Sequence, residues 1–270
     1  MAQHVTIITG ASDGIGAELA RQIAARDGAT AALVLAARSQ DKLAEVAKAC
    51  EAYGAHVFVR PTDVGQQDDC EGLIADTVAR YGRIDALVNN AGMSAHALLE
   101  EVQDMAWYEH LMRINLWGSA WCTHAALPHL KASRGLVVAV SSLAGLVGVP
   151  GRTAYSATKF AMTGFFEALR VEMAPHGVGV TIAYPGVVAT EIRYRGFNAQ
   201  GKAAGKSGLD ERGAMSVETC SRLILDGMAR RQRDIVMSAK GKLGRWMKLL
   251  APALVDRMAL AALKNDVRPH

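Results

Sequence analysis

The chain has 270 residues, half of them hydrophobic, and a formal net charge of +4. That length has room for one large α/β domain or two small ones, and the apolar content supplies a substantial core, which excludes a disordered or fibrous chain. The charge is uneven: residues 1–190 carry 14 Lys/Arg against 18 Asp/Glu, while residues 191–270 carry 16 against 8, so the basic excess sits in the last third.

The first strand-like run, Val5–Thr9, begins almost at Met1 and leaves no room for a signal peptide in the sequence given. It leads directly into Thr9-Gly-Ala-Ser-Asp-Gly-Ile-Gly16 and a helical stretch, Gly14–Arg26. Gly10 permits a tight turn, Gly14 lets backbone approach a pyrophosphate, and Gly16 permits close helix–strand packing. The helix N-terminus offers unpaired N–H groups and a positive dipole end to phosphates. Ser12, Asp13 and Ile15 complete this candidate cofactor loop.

A second strand, Ala31–Ala36, ends in Leu35-Ala-Ala-Arg-Ser39. An acidic residue there would take the ribose hydroxyls of NAD; Ala37 and Arg38 offer a guanidinium to a 2′-phosphate instead. NADP(H) is therefore the expected cofactor, with NAD(H) as the alternative, although Asp13 puts a carboxylate beside the phosphate loop. Further strands are expected at His56–Val59, Ala86–Val88, Leu136–Val140 and Val178–Ala183, and helices at Gln40–Tyr53, Asp68–Tyr81, Met105–Leu130 and Thr153–Pro175. Val, Ile and Leu dominate most of these strands, as in strands buried on both faces. The alternation predicts a single α/β domain with a Rossmann-type doubly wound parallel sheet of about seven strands. Asp85 is expected to cap or brace its strand.

Thr153-Ala-Tyr-Ser-Ala-Thr-Lys159 places Tyr155 and Lys159 one turn apart on one helix face. A nearby ammonium favours the phenolate form of a phenol, so this pair is suited to moving a proton. Beyond the sixth strand, residues 187–213 are rich in Gly, Lys, Arg and Ala without clean periodicity, and a mobile lid is expected there. A helix at Val217–Arg230 and a short strand at Asp234–Met237 close the domain, taken as residues 1–240. Residues 241–270 form an extension in which Leu243, Trp246, Met247, Leu250, Leu254 and Met258 recur at helical spacing, predicting one amphipathic helix despite Pro252. Arg245, Lys248, Asp256 and Arg257 interrupt its apolar run, so it is not a membrane span. Cys50, Cys70, Cys122 and Cys220 are far apart and form no C-x-x-C, which fits a reducing, cytoplasmic compartment.

Taken together, these residues resemble the short-chain dehydrogenase/reductase family over residues 4 to about 192. Thr9-Gly-x-x-x-Gly-Ile-Gly16 is similar to its cofactor loop, and Asn89-Asn-Ala-Gly92 to its N-N-A-G segment. Asn115, Ser142, Tyr155 and Lys159 match its catalytic tetrad. Asp63 and Val64 resemble its adenine-contacting pair, and Pro185, Gly186, Val188 and Thr190 its segment beside the nicotinamide. Asn90, Ala91 and Gly92 are implied cofactor contacts, as are Tyr155 and Lys159. Ser141-Ser-Leu-Ala-Gly145 with Tyr155-Ser-Ala-Thr-Lys-Phe-Ala161 looks most like the 11β-hydroxysteroid dehydrogenase branch, whose members usually begin with a membrane anchor.

The resemblance implies a proton-transferring Tyr155, a Lys159 that favours its phenolate and holds the nicotinamide ribose, a Ser142 that donates to the substrate oxygen, and an Asn115 that orients a water in a proton path. It implies no metal, and a homodimer or homotetramer through the two long helices. Ser141 is expected to face away from Ser142. Met93, Ser94, Leu143, Leu146, Val147, Val149, Val187 and Val188 are expected to wall an apolar pocket, favouring a lipid-, steroid- or xenobiotic-like ketone or alcohol. His96, His110, His124, His129 and His176 are expected on the surface or on helices, and Trp107, Trp117 and Trp121 in helix packing. The basic tail can meet nucleic acid, an anionic membrane or a phosphorylated ligand, or be solvated; no nucleic-acid partner is expected. The terminal helix either packs in an oligomer or lies on a membrane surface. A dinucleotide-binding sensor or scaffold, and an isomerase or lyase on the same fold, are the alternative functions.

Overall fold

The computed structural model describes residues 3–207 and 213–264. Residues 208–212 of the expected lid, and residues 265–270 of the extension, lie outside the described residues.

Seven parallel strands form one sheet in the order β3-β2-β1-β4-β5-β6-β7. They are β1 (His4–Thr9), β2 (Ala31–Ala37), β3 (His56–Pro61), β4 (Ala86–Asn89), β5 (Leu136–Val140), β6 (Gly179–Tyr184) and β7 (Asp234–Val236). Strands β2, β4 and β5 are almost wholly buried, which is why they read as continuous apolar runs. The strand order reverses between β1 and β4, and the crevice at their carboxyl ends is where ligands settle on such sheets.

One face of the sheet carries α1 (Gly14–Asp27), α2 (Gln40–Glu51) and α8 (Val217–Ala229); the other carries α3 (Gln67–Tyr81), α5 (Gly118–Ser133) and α6 (Thr153–Met173). Each face has its own apolar core. Fully buried side chains such as Phe166 and Leu33 contribute about 1.5–3 kcal/mol each. Asp85 braces the sheet as expected: its carboxylate accepts the Val5 N–H at 2.8 Å and pairs with Arg83.

Two expected helices are each divided. The long helix at Met105–Leu130 is two, α4 (Ala106–Met112) and α5, joined by a π-helical turn over Arg113–Trp117. One wide turn leaves the apolar spacing on either side intact, so periodicity does not betray it. The terminal helix is also two, α9 (Ala239–Leu250) and α10 (Pro252–Lys264). Pro252 starts the second, where its missing N–H has no helical partner to lose.

Residues 187–207, within the expected lid, are tied to the body at several points. They contain the short helix α7 (Ile192–Arg195) and bridges pairing Val188 with Met215 and Ala95 with Phe197. Trp107 is buried, whereas Trp117 is half exposed and stacks on Trp121. His96, expected on the surface or a helix, is buried in the loop after β4, where its backbone N–H meets the Phe197 carbonyl at 2.9 Å.

Candidate active site

The strand ends open into one cleft of about 920 Å³ that runs from the glycine loop to Tyr155. At one end, Gly10 and Gly14 adopt left-handed backbone, with φ of 66° and 53°. A Cβ on Gly16 would lie 2.4 Å from the Gly10 carbonyl oxygen, so only glycine lets α1 come this close. Asn90 locks the loop from β4 by donating to the carbonyls of Thr9 at 2.9 Å and Gly10 at 3.3 Å. The Thr9 hydroxyl in turn receives the N–H groups of Asn90 and Ala91. The cradle fits a dinucleotide pyrophosphate: bare glycine backbone and a helix N-terminus, with the Asp13 carboxylate at its mouth.

Asp13 caps α1, accepting the Gly14 N–H at 2.7 Å, and pairs with Arg195 at the end of α7. Partial burial raises the Asp13 pKa, but the Arg195 and Gly14 hydrogen bonds and the Arg195 and Lys42 charges outweigh it and hold the carboxyl below its ordinary value. Ser12 and Ile15 line the same wall, as do Asp63 and Val64 from the loop after β3. The Asp63 carboxylate is partly committed, because it accepts the Gly65 N–H at 2.9 Å.

At the other end, α6 carries Tyr155, 8% exposed, and Lys159, 4% exposed. The Lys159 Nζ lies 5.7 Å from the Tyr155 ring centre and donates to the Val140 carbonyl at 3.0 Å. Burial pushes the Lys159 ammonium below its ordinary range, opposed by the nearby Tyr155. Ser142 sits at the end of β5 with extended backbone, its hydroxyl accepting the Ala144 N–H at 3.2 Å. Ser141 faces away as expected, donating to the Lys159 carbonyl at 3.2 Å.

The π-helical turn presents Asn115, whose side chain accepts the Met93 N–H at 2.8 Å and donates to the Met93 carbonyl and the Thr158 hydroxyl. Gly92 is the meeting point. A Cβ there would lie 3.2 Å from Asn115 Oδ1 and 3.7 Å from Lys159 Nζ. Pro185, Gly186, Val188 and Thr190 line the cleft opposite, and Thr190 touches the space beside Gly14.

Met93, Ser94, Leu143, Val149, Val187 and Val188 wall the cleft as expected. Leu146 and Val147 do not. Leu146 packs into the core and Val147 against it, beneath α9, where Lys248 donates to the Leu146 carbonyl at 3.1 Å and Gly244 faces Val147. Lining residues not singled out from the sequence include Lys42, Arg152 and Glu191. Lys42 joins Arg38 and Ser39 at the rim. Arg152 places its guanidinium 4.5 Å above the Tyr155 ring and donates to the Ala95 carbonyl. Glu191 belongs to the turn into α7. Lys42 lies four residues past Arg38, a spacing that would have disclosed it; nothing local in the sequence marks Arg152.

Fold and cleft thus define a nicotinamide-dinucleotide-dependent oxidoreductase. A family model described as "short chain dehydrogenase" matches residues 4–200. The chain is 37% identical over 262 residues to "11-beta-hydroxysteroid dehydrogenase A" of Sesamum indicum, covering 95% of this chain and 74% of that protein. It is 38% identical over 242 residues to "11-beta-hydroxysteroid dehydrogenase" of Pinus massoniana, covering 87% and 67%. Its fold is similar to that of an alcohol dehydrogenase from the archaeon Thermococcus sibiricus complexed with 5-hydroxy-NADP. That match has a TM-score of 0.74 and 26% identity, covering 87% of this chain and 94% of the other. The chain belongs to the short-chain dehydrogenase/reductase family, in the branch of the 11β-hydroxysteroid dehydrogenase-like proteins, and acts on CH–OH groups with a nicotinamide dinucleotide.

The buried cation has a consequence for stability. Lys159→Met is expected to stabilise the fold at pH 7 by about 1–3 kcal/mol, read from urea unfolding, because a desolvated ammonium is removed. The folded ammonium titrates below its unfolded counterpart, so wild-type stability rises with pH between those two pKa values. The gap between variant and wild type should therefore narrow on the alkaline side. A variant less stable than wild type at neutral pH would contradict this account.

Proposed function

We propose that the protein is an NADP(H)-dependent reductase/dehydrogenase interconverting a hydrophobic ketone or aldehyde and its alcohol. One observation carries the reading: a buried phenol and a buried ammonium share a cleft with an open, glycine-walled helix N-terminus. The bound dinucleotide supplies hydride exchange with the carbonyl carbon. The residues do the rest. Tyr155 gives its phenolic proton to the substrate oxygen in reduction and takes it back in oxidation. Lys159 stabilises the phenolate left behind, and Ser142 donates a hydrogen bond to the oxygen as its charge changes. Asn115 braces Met93 against Thr158 on α6. Its Oδ1 and the Lys159 Nζ converge beside Gly92, where a proton-relaying water would be held.

Arg38, Ser39 and Lys42 together at the rim support a 2′-phosphate, hence NADP(H). The walls from Met93, Leu143, Val149, Val187 and Val188 support an apolar substrate of lipid, steroid or xenobiotic type. A scaffold would have no use for a buried ammonium beside a phenol. Trp117, Phe165 and Val171, exposed on the outer faces of the π turn and α6, support a homo-oligomer through these helices.

The terminal helices suit a different neighbour. Leu243, Trp246, Leu249, Leu250, Leu254 and Met258 are exposed on α9 and α10, with the cations Lys242 and Arg257 beside them. Among the described residues no helix is long and apolar enough to cross a membrane. We read this face as lying on an anionic bilayer from the cytoplasmic side.

Tyr155→Phe is expected to lower NADPH-dependent reduction of apolar ketones by about 10²–10⁴-fold while leaving NADPH binding intact; undiminished turnover would end the mechanism. Combining Arg38→Leu with Lys42→Met should weaken NADPH by roughly ten-fold or more in fluorescence titration and leave NADH unchanged. Equal losses for both cofactors would count against a 2′-phosphate site. Wild type should pellet with phosphatidylglycerol vesicles, less so at high salt, and Trp246→Glu with Leu250→Glu should stay in solution at the same oligomeric size. A changed oligomeric size with no vesicle binding would make this face a subunit contact instead.

A further inference from the structure

The ion pair between Asp13 and Arg195 has no part in the proton chemistry, yet it joins residues 182 positions apart across the cleft. Asp13 stands at the N-terminus of α1, where its carboxylate takes the Gly14 N–H at the mouth of the phosphate cradle. Arg195 ends α7, and both residues line the same cleft and are about half exposed, 42% and 53%. An anionic pyrophosphate brought to this loop meets the Asp13 charge at close quarters, an unfavourable encounter unless a cation stands beside it.

Arg195 is mounted to reach that point. Its ribbon is fastened on one side where the Ala189 N–H meets the Met215 carbonyl at 2.9 Å, and on the other where the Phe197 N–H meets the Ser94 carbonyl at 3.0 Å. Gly196 lies so close to Ser94 that a Cβ would fall 2.7 Å from its carbonyl oxygen. Arg193, two residues earlier, donates to the Val188 carbonyl at 2.9 Å and so holds α7 to the strand end. The ribbon is thus pinned at both ends with a guanidinium between them, above the anion cradle.

We propose that Arg195 is a cofactor-retention residue: Asp13 holds it over the phosphate loop, and on cofactor binding it transfers to the pyrophosphate and straps the dinucleotide in place. The carboxylate at the helix cap acts as a surrogate anion until the phosphates arrive. A guanidinium suits the exchange because its planar fork fits a carboxylate and a phosphate alike. The proposal rests on the dinucleotide reading above, and it concerns how long the cofactor stays rather than the chemistry it performs.

Stopped-flow release of NADPH, followed by nicotinamide fluorescence, tests it without any ketone present. Arg195→Gln is expected to release NADPH about ten-fold faster, and Arg195→Lys by an intermediate amount. Asp13→Asn keeps a capping side chain but gives up the competing charge, so it should bind NADPH more tightly. Unchanged release from Arg195→Gln, or effects of the two substitutions that simply add, would reduce the pair to a surface ion bridge and overturn the proposal. Thermal unfolding of the cofactor-free variants separates this from lost folding. A wild type that binds no NADPH sinks the dinucleotide reading as well, whereas binding with release insensitive to Arg195 sinks only this one.

Discussion

A positive charge is buried in this protein without a carboxylate to match it. Lys159 is 4% exposed, and it donates to a carbonyl oxygen, that of Val140, and to the thioether sulfur of Met162. Around it α6 is fixed in place by hydrogen bonds from Ser141 to the Lys159 carbonyl, from Thr163 to the Gly145 carbonyl and from Arg170 to the Val180 carbonyl. Gly145 matters here, since a Cβ would lie 2.6 Å from the Lys159 carbonyl oxygen. The packing that fixes α6 also fixes the spacing of phenol, ammonium and serine hydroxyl, so the apolar core and the reactive corner are one construction.

Cofactor cradle and reactive corner are coupled through the loop after β4. Asn90 reaches back to the glycine turn, Gly92 opens space between Asn115 and Lys159, and Met93 is gripped on both backbone atoms by Asn115. Three residues within four positions thereby serve two half-sites. A π-helical turn makes this geometry available, because its extra residue carries Asn115 inward from a helix that otherwise packs on α3.

How much of this the chain discloses depends on the range of the interaction. The strands were legible because burial on both faces leaves unbroken Val, Ile and Leu, and the glycine loop because a tight turn beside a phosphate admits few residues. Tyr155 and Lys159 were legible because one helical turn separates them. The division at Arg113–Trp117 was not, since a single wide turn leaves the apolar spacing on either side intact. Leu146 and Val147 read as pocket wall because nothing nearby signals that a helix starting ninety-odd residues later covers them. Nothing local in the sequence marks the contacts of Arg152 or Arg195, for the same reason. Their partners are set by tertiary folding, and local pattern carries no record of them.

The packing of Gly241 on Leu143 has a wider implication. A methyl group at Gly241 would fall 2.4 Å from the Leu143 side chain, which itself walls the reactive cleft. The tail of the polypeptide therefore backs one wall of the cavity from behind Leu143. Lineages that swap or trim that tail can redraw the range of molecules accepted while inheriting the electron-transfer apparatus untouched.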